Sequence, residues 1–359
     1  MNKASTGYPE TQHQPPCCVF YYFSRKGAPT MEFVDSESAR KEVALRQAAV
    51  QSPDRVRKRA SLLRYIWFNR YLYIMLIPAL VYYLIFHYIP MYGAVVAFKE
   101  FSITKGILGS DWAGFEHFRY LFSQDKFWEV FKNTVIISLY RLAFGFPAPI
   151  IAALLLNEVR SRLFKQTIQT VIYLPHFISW VILGGILINL LSTDSGVVNN
   201  IIKLFGGTPI GFLSNESYFR STLVLSMIWK EFGWNTIIYI AALAGISPHL
   251  YEASVIDGAN RFQRLLYLTI PLIRSTIVLI LILRLGGIME AGFEQIFVLY
   301  HPGVYRVSDI IDTYVYRIGL TDGKFSLAAA VGLFKSLINF TLLVLANWLS
   351  RKMGEHGVY

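Results

Sequence analysis

Lys230, Glu231, Arg284, Glu290 and Glu294 stand inside stretches of sequence otherwise apolar enough for hydrocarbon. An ionisable side chain in such a place costs roughly 2.5–3.5 kcal/mol on an insertion scale, so it has to face a bundle interior or a wet cavity. Glu290 and Glu294 are spaced i, i+4 and would share one helix face. Trp229, Trp234, Asn235, Tyr239 and Gln295 add aromatic faces and amides, the groups that a polyol path needs. Two readings are open for the charges: pairs that hold helices together, or the lining of a solute path. Arg141 and Lys335 rank below them, because either can snorkel or pair locally. Nothing here has the form of a catalytic constellation. The sequence has no GxxxxGK[ST] phosphate loop, no HExxH pair, no GxSxG elbow and no EF-hand loop. Asp257-Gly258 beside Asn260 lacks the acidic spacing of a calcium loop. Cys17 and Cys18 are the only cysteines and are adjacent, so neither a disulfide framework nor a metal site follows from them. No cofactor is implied.

The elements that must position these groups are membrane helices. Of the 359 residues 54% are hydrophobic and only 16% charged, and mean hydropathy is +0.42. Soluble domains carry about 25% charge, so the depletion marks an integral membrane protein. Helical spans are expected over roughly 71–97, 134–156, 168–191, 221–243, 276–299 and 326–349, each long enough at about 20 residues per crossing. The fold class is therefore an all-α membrane bundle of six helices. The net charge of +11 could suggest nucleic acid. However, the cluster Arg55, Arg57, Lys58, Arg59, Arg64 and Arg70 abuts the first span, which is where a cytoplasmic tail meets anionic lipid. Lipid, not nucleic acid, is the expected partner of that tail. Residues 1–60 read as a basic, disordered cytoplasmic tail and 61–359 as the membrane domain, with Met31 as an alternative start. With the tail inside, both termini are cytoplasmic, and so is the connection 245–274.

That connection, Tyr251–Pro271, is polar where its flanks are apolar. Pro248 sets a helix start, and Glu252 falls in the first turn, where an acid complements the helix dipole. Ala253, Ser254, Val255 and Ile256 continue a turn with a small or apolar face. Asp257-Gly258 interrupts it, since glycine permits a sharp bend. From Ala259 a second helix is expected to run to Leu268, with Phe262, Leu265 and Leu266 packed back on the bundle. Arg261 and Arg264 are left for solvent, lipid phosphate or a partner. Pro271 marks the return to the membrane.

The string Glu252-Ala-Ser-Val-Ile-Asp-Gly-Ala259, with Pro271 after it, resembles the cytoplasmic coupling loop of binding-protein-dependent ABC importer permeases. Glu252, Ala253, Asp257, Gly258, Ala259 and Pro271 stand at that family's spacing, and Ser254 replaces one small residue with another. From about Phe115 to Lys352 the chain is similar to maltose-type permeases, including Asn133-Thr134 and Tyr173-Leu-Pro175. Trp229–Tyr239, Gly292–Pro302 and Ile311–Arg317 look closest to the branch that imports complex oligosaccharides such as alginate or pectin fragments. The resemblance implies a type I ABC importer permease fold in the cell membrane, a multi-pass subunit without catalytic activity. It implies a second related permease, ATPase subunits on the cytoplasmic face, an external solute-binding protein and an oligosaccharide substrate. Such a sugar could be neutral, meeting Glu290, Gln295 and Asn235, or acidic, favouring Lys230 or Arg284.

Overall fold

A computed structural model describes residues 67–352; the tail cluster from Arg55 to Arg64, both cysteines and residues 353–359 lie outside the described residues. The chain divides into two units, Met1–Leu80 and Val81–Tyr359. In the first, residues 70–80 are helical, and the apolar side chains of Tyr71, Leu72, Ile74 and Met75 are exposed, as a lipid-facing helix requires.

The second unit is mostly helical. We label the helices α1 (Arg70–Tyr83, which runs into it), α2 (Glu116–Ser123), α3 (Asp125–Gly145), α4 (Pro147–Glu158), α5 (Arg162–Tyr173), α6 (Trp180–Leu190), α7 (Val197–Leu204) and α8 (Glu216–Ala244). They continue with α9 (Pro248–Ile256), α10 (Arg261–Arg264), α11 (Arg274–Gly286), α12 (Phe293–Leu299), α13 (Ile311–Tyr316) and α14 (Phe325–Lys352). Two short strands, Lys99–Glu100 and Asp111–Trp112, pair antiparallel between α1 and α2.

Among the described residues three helices are long and apolar enough to cross a membrane by themselves: Arg70–Phe98, Asp125–Glu158 and Phe325–Lys352. Two more crossings arise only if bent pairs count as one span each, Arg162–Phe177 with Trp180–Leu190 (101°) and Arg261–Leu272 with Arg274–Gly286 (60°). The continuous third span expected over 168–191 is thus broken. Pro175 removes a backbone donor, and Ser179 caps the new helix by accepting from the Ile182 N–H at 3.4 Å. The fifth span, expected over 276–299, is broken too: α11 ends at Gly286 and α12 begins at Phe293. Helix α8 is 29 residues long, about 44 Å at 1.5 Å per residue, but Lys230, Glu231 and Asn235 lie near its middle. Wide π turns at Leu84–Tyr88 and Leu265–Thr269 precede Pro90 and Pro271, where they relieve the clash of the proline ring with the preceding turn.

Among the described residues three apolar clusters hold the unit together. The largest joins Ile137 of α3, Leu183 and Leu187 of α6, Phe219, Leu223 and Met227 of α8, and Ile296 and Leu299 of α12. A second packs Leu121, Phe127 and Val130 against Ile311, Tyr314, Leu327 and Val331. A third brings Ala153, Tyr239, Leu243 and Ile273 together. The Asn133-Thr134 pair pins the segment before α13. Asn133 Nδ2 donates to the carbonyls of Arg306 (3.0 Å) and Asp309 (3.2 Å), and its Oδ1 accepts from Arg220 Nη2 at 2.7 Å. Thr134 Oγ1 accepts from the Ile311 N–H at 2.9 Å. Replacing Asn133 with alanine takes the partner from both carbonyls and from Arg220 Nη2, while Arg220 Nε keeps the Val307 carbonyl. At about 1–3 kcal/mol for a buried group left unsatisfied, N133A is expected to lower the melting temperature of the detergent-solubilised protein by several degrees, read by tryptophan fluorescence.

Candidate functional site

Arg141, ranked low in the sequence, is the hub of the polar interior. It projects from α3 toward the break between α11 and α12. Its Nη1 donates to the Ala291 carbonyl (3.2 Å) and to Gln295 Oε1 (3.0 Å), and its Nη2 lies 3.7 Å from Glu231 Oε1. Gln295 is fixed on its other side, Nε2 donating to the Leu223 carbonyl (2.7 Å) and to Ser226 Oγ (2.9 Å). One guanidinium thus ties α3, α8 and α12 to the non-helical link 287–292. Gly292 makes this possible. Its φ is +90°, and a Cβ there would run into the Arg141 guanidinium.

Two hollows adjoin this hub. The smaller, about 300 Å³, is bordered by Ser138, Arg141, Glu231, Asn235, Tyr239, Arg284 and Glu290, among others. The larger, about 890 Å³, shares Arg141, Glu231, Arg284 and Glu290 and adds Glu294, Asp312 and Lys335. Lys335 donates to Asp312 Oδ1 at 2.5 Å, so its charge is paired locally, as one sequence reading had it.

The structure therefore brings Glu231, Asn235, Tyr239, Arg284, Glu290 and Glu294 to the hollows. It turns the other expected pathway residues elsewhere. Lys230 is buried; its Nζ donates to the His176 (2.8 Å) and Ile178 (2.7 Å) carbonyls and lies 5.5 Å from the centre of the Trp180 ring. It satisfies acceptors freed by the bend after α5, so its role is architectural. Trp234 stacks on His176 with 4.5 Å between ring centres, Gln295 is buried in the Arg141 network, and Trp229 borders neither hollow. Glu290 and Glu294 do not share a helix face, because Glu290 precedes the start of α12 at Phe293. Among the described residues, no group of three or more His, Cys, Asp and Glu is placed to hold a metal.

The Tyr251–Pro271 segment forms two short helices at a sharp corner. Pro248 is the first residue of α9, as expected, but Glu252 lies beyond the first turn, where its Oε2 accepts from His249 Nδ1 at 3.2 Å. Ser254 Oγ donates to the Tyr251 carbonyl at 2.7 Å. The helix ends in a paired cap: the Gly258 N–H donates to the Val255 carbonyl (3.0 Å), the Ala259 N–H to the Ser254 carbonyl (2.9 Å), and Gly258 has φ +80°. The second helix starts at Arg261, two residues later than expected, because Asn260 and Gln263 form a reciprocal capping box with both bonds at 2.8 Å. The Asn-x-x-Gln spacing was a readable signal for it. Phe262 and Leu266 do not pack back on the bundle; they are exposed, as are Arg261, Tyr267 and Ile256, the last at 86%. Tyr251 OH and Thr269 Oγ1, 3.1 Å apart, tie α9 to the stretch leading to Pro271. The corner encloses an open hollow of about 420 Å³ lined by Ser254, Asp257, Gly258, Ala259, Gln263 and Arg264.

Residues 145–355 match the family described as "Binding-protein-dependent transport system inner membrane component". The polygalacturonan/rhamnogalacturonan transport system permease protein YteP of Bacillus subtilis (strain 168) is 47% identical over 302 residues, 84% of this chain and 94% of that protein. The protein LplB of the same organism is 45% identical over 81% of this chain and 92% of its own length. A chain in the crystal structure of a bacterial alginate ABC transporter, in complex with a periplasmic protein bound to alginate pentasaccharide, superimposes with a TM-score of 0.77. It is 41% identical and covers 83% of this chain and 99% of its own. The apolar helices, the polar hub and these matches agree: the chain is a membrane protein of the binding-protein-dependent transport system inner membrane component family.

Proposed function

We propose that the chain is the membrane-spanning permease subunit of an ATP-driven importer that takes up oligosaccharides delivered by an external solute-binding protein. It pairs with a second, related permease, and separate ATPase chains on the cytoplasmic face hydrolyse the nucleotide, so the chain itself is not an enzyme. Six spans result when each bent pair counts once and α8 is included, with both termini in the cytoplasm. The relatives named for polygalacturonan, rhamnogalacturonan and alginate support a carbohydrate load.

The observation that carries this reading is the build of Pro248–Arg264. An ordinary loop hides its apolar side chains. This one fixes a short helix between a proline start and a glycine cap, then leaves Val255 and Ile256 exposed at its tip. Such a rigid, sticky corner suits a cleft on a partner. Closure of the ATPase dimer would push α9 as a lever, and the Tyr251–Thr269 contact passes the push toward α11. The bundle then rocks between inward-open and outward-open states. The hollows around Arg141, Glu231, Asn235, Arg284 and Glu290 are the proposed solute path, while Trp229, Lys230 and Trp234 belong to its frame.

Reconstitution with the partner subunits tests the proposal. The purified chain alone is expected to hydrolyse no ATP, and Ile256→Asp to reduce ATPase copurification about 10-fold or more, since burying an unpaired charge costs several kcal/mol. Nucleotide hydrolysis by the chain alone, or uptake that persists without any ATPase, would overturn the reading.

A further inference from the structure

Two guanidinium groups meet at the hollows, and they are in different states. Arg141 is committed to Gln295, the Ala291 carbonyl and Glu231. Arg284, which borders both hollows from α11, makes no hydrogen bond and no ion pair among the described residues. An unpaired cation in the last turn of a membrane helix, beside the break in the span, is costly and marks a place where charge is used. Of the other cations, Lys335 at the larger hollow is paired with Asp312, and Lys230 is spent on two backbone carbonyls. A second observation points to a polar ligand at the same place. Ser138 and Tyr239 line the smaller hollow and are only 5% and 1% exposed, and their hydroxyl oxygens, buried beside it, have no hydrogen-bond partner. Buried hydroxyls are rarely left so.

We propose that Arg284 is a specificity-determining residue that reads a carboxylate on the passing sugar, while Ser138, Tyr239 and Glu290 address its hydroxyls. This deepens the oligosaccharide-import reading and rests on it. A planar guanidinium matches a uronate carboxylate through two parallel N–H···O bonds, which neither a hydroxyl nor a methyl ester reproduces. The carboxylate of Glu231 does not repel such a ligand strongly, because Arg141 already lies against it. A uronic sugar needs both an anion receptor and hydroxyl partners, and the smaller hollow offers both within about 300 Å³.

The test compares uptake of labelled trigalacturonate and its fully methyl-esterified counterpart in host cells carrying wild-type, R284K or R284Q permease, with membrane levels measured alongside. R284Q is expected to lower trigalacturonate uptake about 10- to 100-fold, the range for losing a charge-assisted hydrogen bond. R284K, which keeps the charge but loses the paired N–H fork, should fall between wild type and R284Q, and uptake of the ester should change far less than that of the acid. Should R284Q fail to accumulate, R284M serves the same comparison. Wild-type uptake of trigalacturonate by R284Q, or a parallel fall for acid and ester, overturns the assignment. If wild-type cells import a neutral oligosaccharide but neither trimer, this proposal falls and the importer reading stands. If they import no oligosaccharide at all, both fall.

Discussion

Gly258→Val abolishes sugar uptake while leaving the permease in the membrane; that is the expected result of placing a β-branched residue at φ +80°. The position is informative because it is uncrowded. A Cβ at Gly258 would meet nothing of this chain within 4 Å, so within the permease a substitution strains the loop only through its backbone. An L-residue in the left-handed region costs about 1–2 kcal/mol, and a β-branched one more. At 1.4 kcal/mol per decade, alanine reduces the fraction of loops in the capped shape by at most about 5–30-fold. Asparagine, which tolerates the left-handed region, should be the mildest change. The order of uptake is therefore Gly258, Asn, Ala, Val. It is measured with labelled oligosaccharide in cells, against permease content by immunoblot. Equal uptake by the valine variant would show that the Gly258 corner carries no force.

Arg141→Met is expected to have the second large effect, on the folded bundle itself. Removing one partner of a fully buried ion pair costs about 3–5 kcal/mol, because the other is left uncompensated; Arg141 and Glu231 are half-buried and 3.7 Å apart, so the pair alone contributes less than that. Here methionine abandons Glu231, the Ala291 carbonyl and Gln295 Oε1 together. The double variant R141M/E231Q should recover part of the loss, since it no longer strands a carboxylate. The check is thermal denaturation of detergent-solubilised permease, with a drop of roughly 5 °C or more for the single variant at this size. No difference between single and double variants would mean that Glu231 gains little from Arg141.

The two sites differ in how far they could be read from sequence, and distance along the chain explains why. The loop is a contiguous string: its proline start and glycine corner are local chemistry and stand where expected, while the Asn260–Gln263 cap, also local but not read, moves the second helix start by two residues. The hub is not local. Arg141 and Gln295 are 154 residues apart, and no periodicity links them. Hydropathy also misled over the fifth span. It registered the apolar run, while Gly286, Gly287 and Gly292 were the punctuation that marked the break. The division among the cations was equally hidden. Lys230 and Arg284 look alike as charges in apolar sequence, and only the carbonyls freed by the bend near Pro175 explain why Lys230 is consumed.

The Arg141 network also sets a schedule for synthesis. A ribosome adding about 5–20 residues per second needs about 8–30 s to travel from Arg141 to Gln295. Glu231 emerges on the way, but the acceptors on the link and on α12 come only with the last third of the chain. For that interval the cation on α3 has to stay hydrated or be sheltered by the insertion machinery, so the bundle closes around Arg141 late, after the apolar helices over 70–98 and 125–158 have already entered the bilayer.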